Sequence, residues 1–389
     1  MPHLLSSQSR REHLEPSGVI RSALKFGESD AGGRPPNSRS VLLRLEVFRV
    51  AAVLLVCAAG VSLAAEARLE VITFTSHALE SNPLHDPATR SVAVFIPAQA
   101  TNGARLPVVY YLPGFANSSA RFISNSASFL KMAQSIADQI TPMIVAVVDG
   151  RNRWGGSQYL NSPAQGNYAD YICDEVVAQV EAKHPVPTNG VRRIIAGHSS
   201  GGFGALRLGM MRPKLFDAVV AMSPDSDFPL SHLPPAKAPG IAKVSLTEIE
   251  KQAKGEAPVP KDGELNYHLA LSVAYAPRRE SKSGEFDWLY DAQGQFREEV
   301  WQRWMDNDPL TIVRKNPQAF ATNQMLYLEG AAQDEFSANI GAQKIYEALG
   351  EHPGRHVFYE PPGRHSDRVP ERLQHGLAWV FERPVTDLK

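Results

Sequence analysis

Six near-continuous apolar runs punctuate the chain: "LPVVYYLPG" (106–114), "PMIVAVVDG" (142–150), "VRRIIAG" (191–197), "FDAVVAMS" (216–223), "QMLYLEG" (324–330) and "RHVFYEP" (355–361). A strand with one solvated face alternates apolar and polar residues, so runs without alternation read as strands buried on both faces. Between them lie stretches of helical periodicity, "NYADYICDEVVAQVEAKH" (167–184), "SANIGAQKIYEALG" (337–350) and "RVPERLQHGLAWVFE" (368–382). Ahead of them, "RLEVITFTS" (68–76) and "SVAVFIP" (91–97) predict an antiparallel pair. Strands alternating with helices imply an α/β domain, a mostly parallel twisted sheet with helices on both faces.

One connection breaks this rhythm. Residues 229 to about 305 carry Pro- and Lys-rich text ("LPPAKAPGIAKVSL", "KGEAPVPKDGE") and then the aromatic stretch "FDWLYDAQGQFREEVWQRW". Ordinary connections in α/β units run to about six residues, so a cap-like insertion folded over one sheet edge is expected. Trp288, Trp301 and Trp304 fall in it, and Trp154 lies in the loop after 142–150. Both segments leave C-terminal ends of strands, where ligands sit on open α/β sheets. Trp154, Trp288 and Trp301 are therefore candidates to line an aromatic pocket for an aryl or bulky acyl ester. The competing reading is that these rings form the cap's own small core.

The run at 191–197 leads into Gly197-His198-Ser199-Ser200-Gly201, a G-x-S-x-G pattern followed by the helix-like "GFGALRLGMM". Strand, sharp turn and helix are the parts of a nucleophile elbow, and the glycines serve close backbone approach. Such a turn would lift Ser199 Oγ out at the C-terminal edge of the sheet. A serine needs a base, and the base an orienting acid. On this scaffold they follow in the order acid, then histidine, on loops after later strands. "LYLEGAAQDEF" places Asp334 and Glu335 after one strand, and "VFYEPPGRHSD" places His365 after the next. Asp334 is the predicted acid, with Glu335 as the alternative, and His365 the predicted base.

Other histidines fit less well. His352 and His356 are separated by Pro353 and Gly354, which forbid the helix that would pair them on a metal. His198, inside the elbow, must point away from the side its neighbour faces, and reads as structural. The oxyanion needs two N–H donors. Ser200, just after the nucleophile, supplies one; the turn "YYLPGFANSS" offers Phe115 for the other.

Together, "VVYYLPGF", "VVDGRNRWGGSQYLNSPAQGNYADYI", "RRIIAGHSSGGFGAL" and "GRHS" resemble the putative-esterase family of α/β-hydrolases over residues 68 to 382 outside the insertion. That family takes in esterase-D-type S-formylglutathione hydrolases, bacterial feruloyl and acetyl-xylan esterases, enterochelin-esterase-like proteins and secreted mycolyltransferases. The resemblance implies the α/β-hydrolase fold, with Ser199 as nucleophile, His365 as base, Asp334 as acid, and Phe115 and Ser200 as oxyanion donors. It also implies that "SQYLNSP" borders the substrate pocket, with Tyr159 and Asn161 as binding candidates. This chain departs at Ser200, where many relatives carry Met or another apolar residue, and at Pro113, where many carry His or Asp. Its insertion is also longer than compact members carry.

The first 40 residues, rich in Ser, Arg, Gly and Pro, show no periodicity and read as disordered or as a start site placed too early. Arg44 and Arg49 precede "VAAVLLVCAAGVSLAAEA", which closes on Ala64, Ala65 and Ala67. A basic region, a short apolar region and small residues predict a signal peptide over 41–67, and the apolar run is short of the ~20 residues that span a bilayer. The mature chain, 68–385, would then be periplasmic or extracellular, without stable membrane insertion. Cys57 would leave with the signal, and Cys173, the other of two cysteines, would have no partner. Forty basic residues against 41 acidic ones exclude a polyelectrolyte surface for nucleic acid.

The expectation is an exported serine carboxylic-ester hydrolase acting on a small-molecule ester through an acyl-enzyme, with no cofactor and no metal. The rivals are an acyltransferase of the mycolyltransferase type, a peptidase, and a silent binding protein that keeps the fold.

Overall fold

The structure, a computed structural model, describes residues 66–383 apart from residue 102 and residues 279–283. The predicted extension (1–40) and the predicted signal segment (41–67, save its last two residues) lie outside the described residues. Eight strands form the central sheet: β1 (Arg68–Thr75), β2 (Thr89–Ile96), β3 (Val108–Leu112), β4 (Ile144–Val147), β5 (Arg193–His198), β6 (Ala218–Met222), β7 (Met325–Glu329) and β8 (His356–Tyr359). Their spatial order is β1-β2-β4-β3-β5-β6-β7-β8. β1 pairs antiparallel with β2, and β2 antiparallel with β4; every other neighbouring pair is parallel. The opening antiparallel pair and the parallel body follow the sequence expectation.

Side chains of a strand alternate between faces, and β3 shows this inside one apolar run. Val108, Tyr110 and Leu112 join one buried cluster; Val109 and Tyr111 join another on the opposite face. The first cluster is covered by a helical segment, α1, built from Tyr168–Asp170, a π-helical stretch Tyr171–Val176 and Val177–Lys183, and by α2 (Ser200–Met211). The other face is covered by a helix at Ser126–Gln139 and by the last helix, Val369–Val380. The helix predicted over 167–184 is thus present with a π-helical interior, and Cys173 is buried within it, its thiol pushed up to about 12 by burial.

The long connection between β6 and β7 is helical rather than irregular. Short turns at Phe228–Ser231, Leu233–Ala236 and Pro239–Ala242 lead to α3 (Leu246–Ala253), α4 (Gly263–Tyr275) and α5 (Glu298–Met305). Trp154, Trp288, Trp301 and Trp304 are at most 8% exposed and share one apolar cluster with these helices. The aromatic-lined pocket expected from Trp154, Trp288 and Trp301 is therefore not formed, because the rings are consumed in holding the insertion together. Trp154 meets Phe286 edge-on at 6.0 Å, and its carbonyl accepts from Asn266 Nδ2 at 2.7 Å, which ties the loop after β4 to α4.

A buried ion pair joins the sheet to the last helix. Arg372 Nε donates to both carboxylate oxygens of Glu329, at 3.1 and 3.0 Å, and neither side chain is more than 1% exposed. The same guanidinium donates to Ser223 Oγ at 2.6 Å and to the His365 carbonyl at 2.7 Å. Removing one partner of a buried pair leaves an uncompensated charge. Arg372→Met is expected to lower the free energy of unfolding by about 3–5 kcal/mol, read by urea denaturation. Adding Glu329→Gln should recover part of that loss.

Candidate active site

Ser199 sits between β5 and α2 at φ 59°, ψ −125°, a backbone conformation that side chains rarely adopt. Its N–H donates to the Met222 carbonyl at 3.0 Å and its carbonyl accepts from Phe203 N at 2.9 Å, which fixes the turn from both sides. Strand and helix approach so closely that a Cβ at Gly197 would lie 2.1 Å from the Gly201 carbonyl oxygen. One at Gly201 would lie 1.8 Å from the Leu112 carbonyl oxygen. Only glycine fits either place. Ser199 is thereby raised, half-buried, into a cavity of about 570 Å³.

His365 borders the same cavity and is held at its Nδ1 and at both backbone polar groups. Its Nδ1 donates to Asp334 Oδ2 at 2.8 Å, its backbone N–H to Glu335 Oε2 at 3.0 Å. Its carbonyl accepts from His198 Nε2 at 2.8 Å and from Arg372. Asp334 Oδ1 in turn accepts from the backbone N–H of Phe336 at 3.0 Å. Burial by itself would raise the Asp334 carboxyl, but the His365 ring and the Ser223 hydroxyl bonded to it hold it below the usual value. Glu335, the alternative acid, contacts the His365 backbone and not the ring. Among the described residues no hydrogen bond links Ser199 Oγ to the His365 ring, a contact that commonly tightens only with substrate bound.

The turn carrying Phe115 abuts the elbow, with a Cβ at Gly114 falling 3.3 Å from the His198 carbonyl oxygen. Ser200 N–H is the first donor of α2, and neither it nor Phe115 N–H has an acceptor among the described residues. First-turn N–H groups of a helix are orphans that an anion can satisfy. The turn is braced from behind: Tyr159 OH donates to the Pro113 carbonyl, and Ala116 N–H to the Gly155 carbonyl at 3.0 Å.

A model of the putative-esterase family matches residues 87–352. The chain belongs to that family. It is also 30% identical over 145 residues to the S-formylglutathione hydrolase of Mus musculus, which covers 34% of this chain and 50% of that protein. The chain thus spans about half the length of this curated relative. Among solved structures, a ferulic acid esterase superposes with a TM-score of 0.52 at 18% identity, covering 82% of this chain and 98% of the other. An S-formylglutathione hydrolase from Agrobacterium tumefaciens gives 0.51 at 17%, covering 83% and 97%. At these identities the superpositions establish a shared α/β-hydrolase fold.

In this esterase-family chain the cavity wall differs from the sequence expectation. Of the binding candidates, Trp288 and Trp301 are inside the cap core and Trp154 beneath it; none lines the cavity. Tyr159 is buried under the turn carrying Phe115, its ring filling the space beside Gly150 and Gly204, so it braces rather than binds. Asn161 is exposed, and its Oδ1 accepts from the N–H groups of Ala169 and Asp170, capping the start of α1. Beside Ser199 and His365 the cavity is lined instead by Asp225, His232, Glu264, Tyr267, His268 and Phe336. Sequence reasoning missed these residues. Asp225 lies just past the C-terminal end of β6, and Tyr267 with His268 interrupts an apolar helix, the two signals that could have marked them.

Two outcomes follow from this arrangement. Asp334→Asn, which cannot hold the imidazole as a carboxylate does, should lower kcat by about 10⁴-fold, with a smaller effect on KM in steady-state assays. His198 is pushed down to about 3, chiefly by burial and then by its electrostatic interaction with the His365 ring and the Arg372 guanidinium. Folded, it stays neutral; unfolded, it takes up a proton below its ordinary 6.5, so its share of stability is full above that pH and is lost as pH falls. Denaturation at about pH 7 and about pH 5 should show that loss, and His198→Gln, which keeps a donor for the His365 carbonyl, should reduce it.

Proposed function

We propose that the protein is an exported serine carboxylic-ester hydrolase that works through a Ser199–His365–Asp334 triad and an acyl-enzyme. The observation that carries this reading is the His365 ring, fixed by Asp334 on Nδ1 and by three further partners on its backbone, bordering one cavity with the elbow serine. Family membership supports the ester-bond chemistry; the charge-neutral composition and the predicted signal over 41–67 support a small ester met outside the cytoplasm.

Ser199 Oγ attacks the ester carbonyl carbon while His365 Nε2 accepts its proton, and the developing oxyanion is bound by the N–H groups of Phe115 and Ser200. Asp334 holds the imidazole in the tautomer whose Nε2 is free and stabilises the imidazolium. The C–O bond then breaks, the leaving alkoxide takes the proton from His365, and Ser199 carries the acyl group. Water, deprotonated by His365, attacks the acyl carbon, and Ser199 leaves with that proton as the carboxylic acid is released.

Hydrolysis of p-nitrophenyl acetate, butyrate and octanoate tests this reading. The wild type should turn over at least one of these, and Ser199→Ala should lower kcat by about 10⁶-fold. Equal rates for the two proteins, or a wild type inert towards every ester, would overturn it. Export is tested by N-terminal sequencing of protein from the medium or periplasm, which should begin after Ala64, Ala65 or Ala67. An uncleaved chain in the cytoplasm would contradict that part.

A further inference from the structure

Ser200, one residue past the nucleophile, donates through Oγ to Asp225 Oδ2 at 2.8 Å, and Tyr267 OH donates to the same oxygen at 2.7 Å. Gln158 Nε2 donates to Ser200 Oγ at 3.3 Å, so the hydroxyl is locked in its role as donor to Asp225. Asp225 is 9% exposed and lines the cavity shared by Ser199 and His365. The bonds from Ser200 and Tyr267 both fall on Oδ2; among the described residues no hydrogen bond reaches Oδ1 and no Lys or Arg pairs with the carboxylate or lines the cavity. Glu264 adds a second carboxylate to the wall. His232 and His268 in the same wall have their ordinary values pushed down by burial, which keeps them uncharged.

A carboxylate bonded to the residue whose N–H must hold an oxyanion opposes the negative charge that develops there. With an uncharged substrate that is an unrelieved penalty. With a cation beside the ester the sign reverses: Asp225 Oδ1, the oxygen that Ser200 and Tyr267 leave unbonded, attracts the substrate. The remaining wall suits the same ligand, since the aromatic residues Phe115, Tyr267 and Phe336 line the cavity, and aromatic rings attract ammonium groups.

We propose that Asp225 makes this cavity selective for esters carrying an ammonium group close to the scissile bond. The inference rests on the esterase reading for the identity of the bond cleaved, but the binding of the cation can be measured without turnover.

The experiment compares matched pairs on the Ser199→Ala protein by calorimetry. Butyrylcholine against 3,3-dimethylbutyl butyrate places the charge on the alcohol side; methyl 3-aminopropanoate against methyl butanoate places it on the acyl side. In at least one pair the cation should bind about ten-fold tighter or more, with the advantage shrinking as salt rises. Adding Asp225→Asn should bring that ratio close to one, whereas Asp225→Glu and Tyr267→Phe, which keep the charge, should retain a preference. Equal affinity in both pairs, or a preference that survives Asp225→Asn, would overturn the inference. Thermal melting checks that each variant is folded, and the charge-retaining variants decide the matter if Asp225→Asn is not. Wild-type turnover of p-nitrophenyl esters reports on the esterase reading separately. Turnover without charge preference overturns this inference alone; charge-selective binding without turnover of any ester overturns the esterase reading alone.

Discussion

The backbone of Ser199 is the constraint on which the rest of the site depends. A side chain held at φ 59°, ψ −125° persists only where its surroundings over-determine it, at a cost on the order of 1–3 kcal/mol. Here β5 enters from a sheet buried on both faces, α2 leaves with its first turn pressed against Leu112, and the Ser199 N–H is tied to Met222 on the next strand. Two glycines make the approach geometrically possible. The same turn that strains Ser199 aims its hydroxyl at the cavity and places the first free N–H of α2 beside it, so the proposed nucleophile and oxyanion donor are one local structure.

The opposite side of the site is organised by a chain of polar contacts running from the sheet core outwards. Glu329 at the end of β7 holds Arg372; Arg372 holds Ser223 and the His365 carbonyl; Ser223 and the His365 ring meet on Asp334. Each member is buried, so each bond acts in a low-dielectric setting where a missing partner is costly. The loop bearing His365 is thereby anchored to the same core that carries the elbow. Global stability and the aim of the imidazole are coupled through Arg372, while the cap, which contributes Glu264, Tyr267 and His268, reaches the elbow through Asp225 and through the Trp154 loop.

The parts of this arrangement that were legible in the sequence are those set by local pattern. Apolar runs marked the buried strands because a parallel sheet leaves neither face wet. The order Ser199, Asp334, His365 was readable because each follows a strand that the same pattern had already located. The pocket wall was not readable in that way. Trp154, Trp288 and Trp301 follow strand ends and so read equally as pocket wall or cap core; a seventy-residue insertion has to bury apolar surface of its own, and the largest rings are what it uses. Tyr159 and Asn161, which only the family resemblance puts at the pocket, serve the fold instead, one bracing the Pro113 turn and the other capping a helix. Asp225 was invisible because its meaning comes from contacts across 25 and 42 positions of sequence, to Ser200 and Tyr267.

The most direct test of the central claim, that Ser199 rather than its neighbour Ser200 is the nucleophile, is mass-spectrometric mapping of the folded protein after reaction with a fluorophosphonate. The account predicts one adduct per chain, on Ser199, because Ser200 Oγ is turned away into its bond with Asp225. An adduct on Ser200, or no adduct on either serine, would contradict it.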